Sequence, residues 1–409
     1  MTKALIITVG GSDEPIVQAI KTYKPDFIYF ICSKGDIRTG STYQVDGEGK
    51  VCGNQTRESI IKQSGYSKGY EKIELDNPDD FKEVYKKIRE TIDKAKQNYN
   101  EVISDFTGGT KTMSAVLEML ACFDWDIKLS LVKGPRRDVV RTTSGSIPVI
   151  INEDVNIARV DYMLKIVDIF ISRYLYYSAC LLLEDLLKKG LPSELQQKII
   201  KKHNICKSFS FWDSFEYDKS FDLLRNYASE WQNYLQYLLK LLNKTKSSGY
   251  EPVFDLISNA ERQAENGFYD NATARLYRAL ELFVQIRLKT KYNIETSHIE
   301  KIPENLKNKI DLAKYEKYKD ERGEIKIGLE KAYELLSDLS DEIGKVYNKY
   351  KDELRENIKI RNLSKLAHGD TPIKENDWKK FYNFVLEFID ECCKEININF
   401  EKIQLPNKI

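Results

Sequence analysis

The chain predicts an α/β fold class in its N-terminal third, with a doubly wound and mostly parallel sheet, followed by an all-α remainder. Three observations lead there. Short β-branched apolar runs alternate with helix-spaced segments, the arrangement of parallel strands joined by crossover helices. Apolar residues three or four apart fill the rest of the chain. A length of 409 residues exceeds one ordinary hydrophobic core, so two or three domains are expected. The patterns divide the chain into a Rossmann-like domain at 1–152, a helical connector at 153–249 and a second helical domain at 250–409.

In order, 4–9 is a β-branched run that ends at Gly10-Gly11-Ser12, and 15–23 has helical spacing. A strand is expected at 27–32, then a polar, Gly-rich stretch at 35–53 and a helix at 57–63. The segment 81–98 reads as an amphipathic helix, 101–106 as a strand, 113–123 as a helix and 127–132 as a strand. Tyr162, Ile166, Phe170, Tyr174 and Tyr177 give 155–191 the look of one long helix broken by Pro192, and 221–242 is a second helical set before a Lys/Ser/Gly linker at 244–249. These Tyr and Leu stripes read as core. Two helices are expected within 253–289, joined near Gly267, with Leu276, Ala279, Leu280, Phe283 and Ile286 on one face of the second. Further helices are expected at 329–347 and 378–392, and a bundle is the default packing.

Composition narrows the function. Lys and Arg total 64 against 63 Asp and Glu, a net charge of +1 that argues against a strongly basic nucleic-acid coat protein. Local clusters can still steer a polyanion. No stretch approaches the roughly 20 apolar residues of a membrane span, and the first residues lack a signal h-region. The seven cysteines form no CxxC pair, which fits reduced thiols in a cytoplasmic protein. Only His203, His298 and His368 are present, so no zinc site or other metal is expected, and a general-acid histidine must be one of the three. His203, among Lys201, Lys202 and Asn204, reads as an exposed helix end.

Two loops stand at strand ends, where doubly wound sheets bind ligands. One is Gly10-Gly11-Ser12. The other runs from Asp105 through Thr107-Gly108-Gly109-Thr110-Lys111 to Met113. Paired glycines let backbone approach a ligand, while Thr hydroxyls, helix N-terminal amides and Lys111 suit phosphate. Neither loop is a Walker A or G-x-G-x-x-G motif, and each glycine pair alone also fits a tight turn. This D-x-T-G-G-T-K-x-M segment, with an opening strand ending in Gly-Gly-Ser, resembles the CARF domain of CRISPR-associated proteins over about residues 1–150. The resemblance implies a homodimer that binds a cyclic oligoadenylate (cyclic tetra- or hexa-adenylate) across its two-fold axis, with Gly10, Gly11, Ser12, Thr107, Gly108, Gly109, Thr110 and Lys111 lining the pocket. Lys133-Gly134-Pro135-Arg136-Arg137 would add cations to it, or form a solvated basic turn.

In the C-terminal part, Arg361-Asn362-Leu363-Ser364-Lys365-Leu366-Ala367-His368-Gly369 is the segment that carries chemistry. Continued as a helix, it would put Arg361 and His368 on one face, nearly two turns apart, with Ser364 between them and Gly369 ending the helix. A histidine there would feel the negative helix end. Arg offers a planar charge for phosphate and His a proton near neutral pH, enough for RNA cleavage without a metal. Spacing alone also fits capping and salt-bridge residues. The segment is similar to the R-x(4–6)-H motif of HEPN ribonucleases, whose site is composed from both protomers. That resemblance implies Arg361 as the phosphate and transition-state residue, His368 as general acid/base, Asn362 as an orienting group and Ser364 as a neighbour. The segment from Asp270 to Leu282 looks like an early helix of the same group, with Arg275, Arg278 and Glu281 read as packing ion pairs. A CARF-like domain ahead of a HEPN-like one is the pairing of the CARF–HEPN ribonucleases of type III CRISPR systems. It implies an antiviral endoribonuclease acting on single-stranded RNA, with no cofactor beyond the activator. A non-catalytic nucleotide-responsive regulator and a HEPN toxin active without ligand stay open.

Overall fold

A computed structural model describes residues 2–36, 38–134, 136–137, 141–142, 146–365 and 369–409. The chain forms two compact units, Met1–Leu164 with Leu186–Gln196, and Lys165–Asp185 with Gln197–Ile409.

The first unit is built on a six-stranded sheet of β1 (Lys3–Thr8), β2 (Phe27–Ser33), β3 (Gly69–Leu75), β4 (Glu101–Asp105), β5 (Ile127–Lys133) and β6 (Ile147–Ile150), in the order β3-β2-β1-β4-β5-β6. Every neighbouring pair is parallel except β5 with β6. Side chains of β1 alternate between two cores, as the pleat requires. Ala4 and Ile6 pack with α4 (Phe81–Asn98) and α5 (Lys111–Phe123), while Leu5, Ile7 and Val9 pack with α1 (Glu14–Tyr23). Helices on both faces make the sheet doubly wound. Asp80 caps α4 by accepting from Lys82 N at 2.9 Å, and Val84, Ile88, Ile92 and Ala95 form its buried stripe.

Three local departures from the sequence reading have physical causes. Strand β3 is an edge strand of mostly half-buried positions that mix apolar and charged residues, so it carries no apolar run. Strand β6 contains Pro148, which an edge strand accommodates. The helix expected at 57–63 shrinks to α3 (Ile60–Ser64), because Arg57 instead bridges Cys52 in the backbone and salt-bridges the fully buried Asp13 at 2.5 Å. A one-turn helix, α2 (Thr42–Asp46), also lies inside the Gly-rich stretch.

The helical part begins with α6 (Asn152–Ser172) and α7 (Tyr176–Leu187), where Tyr174 at φ 59° interrupts the expected single helix. Then come α8 (Ser193–Asp213), α9 (Tyr217–Leu224), α10 (Ala228–Leu241), α11 (Glu251–Glu265) and α12 (Tyr269–Tyr292). The short α13 (Glu304–Lys307) and α14 (Ala313–Glu316) precede α15 (Leu329–Asp338), α16 (Glu342–Leu363) and α17 (Glu375–Glu395). The helix expected at 329–347 breaks in two, with Ser340 at φ 55° and Asp341 capping α16 through Ile343 N at 2.9 Å. Leu276, Ala279, Leu280 and Phe283 of α12 are wholly buried against α11, α15, α16 and α17, and Ile286 is half-buried at the edge.

The connector helices form no third unit. Trp212 Nε1 and Tyr217 OH donate to the buried Asp255 carboxylate of α11 at 2.9 and 2.8 Å. Arg262, also buried, pairs with Asp213 at 2.7 Å. The tail after α17 runs back over the same helices, where Tyr176, Tyr234 and Tyr237 donate to its carbonyls. His203 lies within α8 rather than at an exposed end, with Nε2 3.0 Å from Glu184 Oε1 and little exposure, because Glu184 of α7 recruits it.

The α12 face is the most consequential apolar surface of the second unit. Phe283→Ala should lower unfolding free energy by about 3–5 kcal/mol in urea titrations, the cost of emptying a fully enclosed aromatic site.

Candidate functional site

The loops after β1 and β4 meet at the switch point of the sheet, between its two central strands. Their backbones touch. A Cβ on Gly10 would stand 2.5 Å from Gly109 N, and one on Gly108 would collide with Thr8 O, so only glycine fits either position. Thr8 Oγ1 donates to Gly108 O at 2.6 Å and locks the loops together. Gly109 holds φ at 84°, open to glycine and little else.

The hydroxyls expected to meet a phosphate are engaged within the protein. Thr107 Oγ1 accepts from Val132 N at 2.8 Å. Thr110 Oγ1 donates to Pro78 O at 2.9 Å and accepts from Met113 N at 3.3 Å, capping α5. Gly11 and Lys111 are exposed, Ser12 half-buried, and Lys111 is the first residue of α5. Beneath the loop, the buried Asp105 accepts from Ser130 Oγ at 2.6 Å and from Thr107 N at 3.0 Å, and Tyr23 OH lies 2.8 Å from the same Ser130 Oγ. Burial raises the Asp105 carboxyl above its ordinary range, against the pull of those hydrogen bonds. Of the basic turn, Lys133 and Gly134 are described, whereas Pro135 and the side chains of Arg136 and Arg137 lie outside the described residues.

The Arg361 segment departs from its expected geometry. Helix α16 ends at Leu363, and Ser364 turns to an extended conformation at ψ 144°. The helix expected to continue from Arg361 toward His368 therefore stops at Leu363. His368 itself, with Leu366 and Ala367, lies outside the described residues. The cause is tertiary. Ser364, buried rather than facing a cleft, donates its hydroxyl to Asp270 Oδ1 at 2.6 Å, across from α12. Gly369 N then donates to Ser364 O at 3.1 Å and Thr371 N to Leu363 O at 3.2 Å. A Cβ on Gly369 would strike the Leu363 carbonyl, so this return also requires glycine.

Arg361, in the last turn of α16, is half-buried with its guanidinium 4.4 Å from the centre of the Tyr277 ring. Its Nη1 donates to Asn362 Oδ1 at 3.2 Å, and Asn362 is exposed. Burial raises the Tyr277 phenol while Arg361 opposes the shift. Of the residues read as packing ion pairs, Arg278 does bond Glu281, at 2.6 Å, whereas Arg275 donates to Asn259 and to Asn271 O. Asp270, which accepts from Ser364 and Ile373, is a residue of this site that local sequence patterns do not mark. The one available signal was its place in the first turn of a helix after Gly267. His298 lies elsewhere, its Nδ1 3.0 Å from Glu300. Among the described residues no group of three or more His, Cys, Asp or Glu could hold a metal ion.

The raised Asp105 carboxyl has a consequence for stability. Its folded-state pKa exceeds the unfolded value, so its stabilising contribution is full below the unfolded pKa and is lost as pH rises through the folded one. Asp105→Asn keeps an acceptor for Thr107 N and offers a donor to Ser130. Urea midpoints should show a smaller loss between pH 4 and pH 7 in this variant than in the parent chain.

A family model described as the Csm6 HEPN domain matches residues 242–391, a span that contains α11, α12, α15, α16 and the Arg361 segment. Among solved structures, Enterococcus italicus Csm6 bound to cyclic hexa-2'-fluoro-hexa-dAMP is similar over 97% of this chain and 95% of that one, with a TM-score of 0.61 at 13% identity. Can2 from Sulfobacillus thermosulfidooxidans in complex with cyclic tetra-adenylate aligns over 56% of this chain and 68% of that one at 10% identity, and its TM-score of 0.26 is too low to indicate a shared arrangement. No curated protein matches the sequence. Residues 242–391 of this chain thus match the Csm6 HEPN domain, and the chain as a whole shares the fold of Csm6.

Proposed function

We propose that the protein is an endoribonuclease of type III CRISPR defence, switched on by a cyclic oligoadenylate and cutting single-stranded RNA without a metal. The observation that carries the reading is Arg361, set on Tyr277 at the end of α16 within the matched HEPN segment, with Asn362 exposed beside it. In this reading His368 moves the proton: the RNA 2'-oxygen attacks phosphorus, the bond to the 5'-oxygen breaks, and that oxygen is protonated as it leaves. Arg361 neutralises the charge that builds on the phosphoryl oxygens, and Asn362 orients it. The buried Ser364 supports this geometry and does not reach substrate.

Activator recognition falls to the paired loops. With the hydroxyls of Thr107 and Thr110 committed to the scaffold, Gly10, Gly11, Ser12, the 107–110 backbone and Lys111 supply the contacts. Activation then requires a ligand that binds one arrangement of the protein better than the other. The working form is a homodimer, and the exposed Phe123, Ile157 and Tyr162 of the N-terminal unit supply apolar area for it. No helix among the described residues is long and apolar enough to cross a membrane.

The test is cleavage of a fluorescent single-stranded RNA in EDTA, with and without cyclic tetra- and hexa-adenylate. Cleavage should depend on one of the two rings. His368→Ala should lower the rate by about 10²–10⁴ and Arg361→Ala by about 10²–10³. Full cleavage without ligand would leave the HEPN chemistry and remove the sensor control. Absence of cleavage under every condition would favour a nucleotide-responsive binding protein.

A further inference from the structure

We infer that Asp270 is a positioning residue for the nuclease motif, holding both ends of the segment that carries His368. The inference rests on the ribonuclease reading above for its activity readout, and on geometry alone for its structural one. Asp270 lies in the first turn of α12. Its Oδ1 accepts from Ser364 Oγ at 2.6 Å, and its Oδ2 accepts from Ile373 N at 3.1 Å. One carboxylate thus grips the chain on both sides of His368. Among the described residues Asp270 forms no salt bridge, so its two oxygens serve this segment rather than a packing ion pair.

The same helix holds the other half of the motif. Tyr277, seven residues on and so nearly in line with Asp270 along α12, carries the Arg361 guanidinium at 4.4 Å. Arg361, Ser364 and Ile373 are therefore all referenced to one rigid face about two turns long. Referring Arg361 and both flanks of the following segment to one rigid element limits the misplacement that costs rate. Chemistry itself stays with Arg361 and His368, because among the described residues the Asp270 carboxylate bonds to Ser364 and Ile373.

Asp270→Ala removes both anchors. Asp270→Asn keeps an acceptor for Ile373 N and can donate to Ser364 Oγ, so it should rescue. Ser364→Ala removes one anchor and should fall between them. In the full-length protein with its activating ring, Asp270→Ala should lower kcat for RNA about 10–100-fold while KM stays within about 2-fold, as expected when only transition-state geometry is lost. Amide hydrogen exchange in the peptide spanning 364–373 should speed by about 10-fold or more in the same variant, with α11 and α17 unchanged. Asp270→Asn should stay close to the parent in both readouts. Unchanged exchange in Asp270→Ala, or equal losses in Asp270→Ala and Asp270→Asn, would overturn the inference. Should the parent chain cleave no RNA, the ribonuclease reading fails while the exchange measurement still decides whether Asp270 holds the segment. If Asp270→Ala does not fold, Ser364→Ala and Asp270→Asn give the same comparison.

Discussion

The second unit depends on helix α12, whose faces do different work. Leu276, Ala279, Leu280 and Phe283 are wholly buried and set where α11, α15, α16 and α17 can lie. Asp270 and Tyr277 project roughly 120° around the helix from that face, by the 100° advance per residue. The buried face fixes the helix in rotation and depth, because close-packed aromatic and aliphatic side chains have few alternative seatings. Whatever the polar face holds inherits that precision. The end of α16 is the part that uses it, through Arg361 on Tyr277 and Ser364 on Asp270.

In the N-terminal unit the corresponding constraint is backbone crowding at the centre of the sheet. The loops after β1 and β4 approach so closely that Gly10 and Gly108 admit no side chain, and Thr8 ties them by a hydrogen bond. Beneath them Asp105, Ser130 and Tyr23 form a chain that ends at the Thr107 amide. A buried carboxylate is costly to leave unsatisfied, and here it is satisfied by groups that also shape the loop. The outcome is a preformed rim in which the Thr107 and Thr110 hydroxyls are occupied. An anionic ligand would meet backbone and the Lys111 cation rather than threonine hydroxyls.

Legibility in the sequence followed the range of the interaction that decides each feature. Local periodicity sufficed for β1, β2, β4, β5 and for α4, whose alternation or stripe is set by neighbours within a few residues. It failed for β3 and β6, edge strands whose half-exposed positions leave no apolar run. The paired loops were legible because glycine is a local signature of crowding. The end of α16 was not. From Arg361 to Gly369 the residues permit a helix, and what stops it is a bond from Ser364 to Asp270, 94 residues away. His203 was misplaced for the same reason, since Glu184 of a neighbouring helix defines its surroundings. Asp270 stands in a helix that is legible from its sequence, yet both of its partners, 94 and 103 residues distant, lie beyond any local pattern.

The way Arg361 is held bears on what it can do. A guanidinium has five N–H donors around its edge and a flat face above and below. The Tyr277 ring takes a face, an attraction that consumes no donor. The end of α16 adds the negative pole of its aligned peptide groups, which also favours a cation without a specific bond. Among the described residues, one donor is committed, from Nη1 to Asn362 Oδ1. The remaining edge would suit the phosphate of the proposed reaction, whose oxygens match the fork of an arginine. A carboxylate partner would have held the side chain as firmly, but it would have occupied that edge and cancelled the charge. An aromatic ring and a helix end fix the group while leaving both intact, as the proposed phosphate role of Arg361 requires.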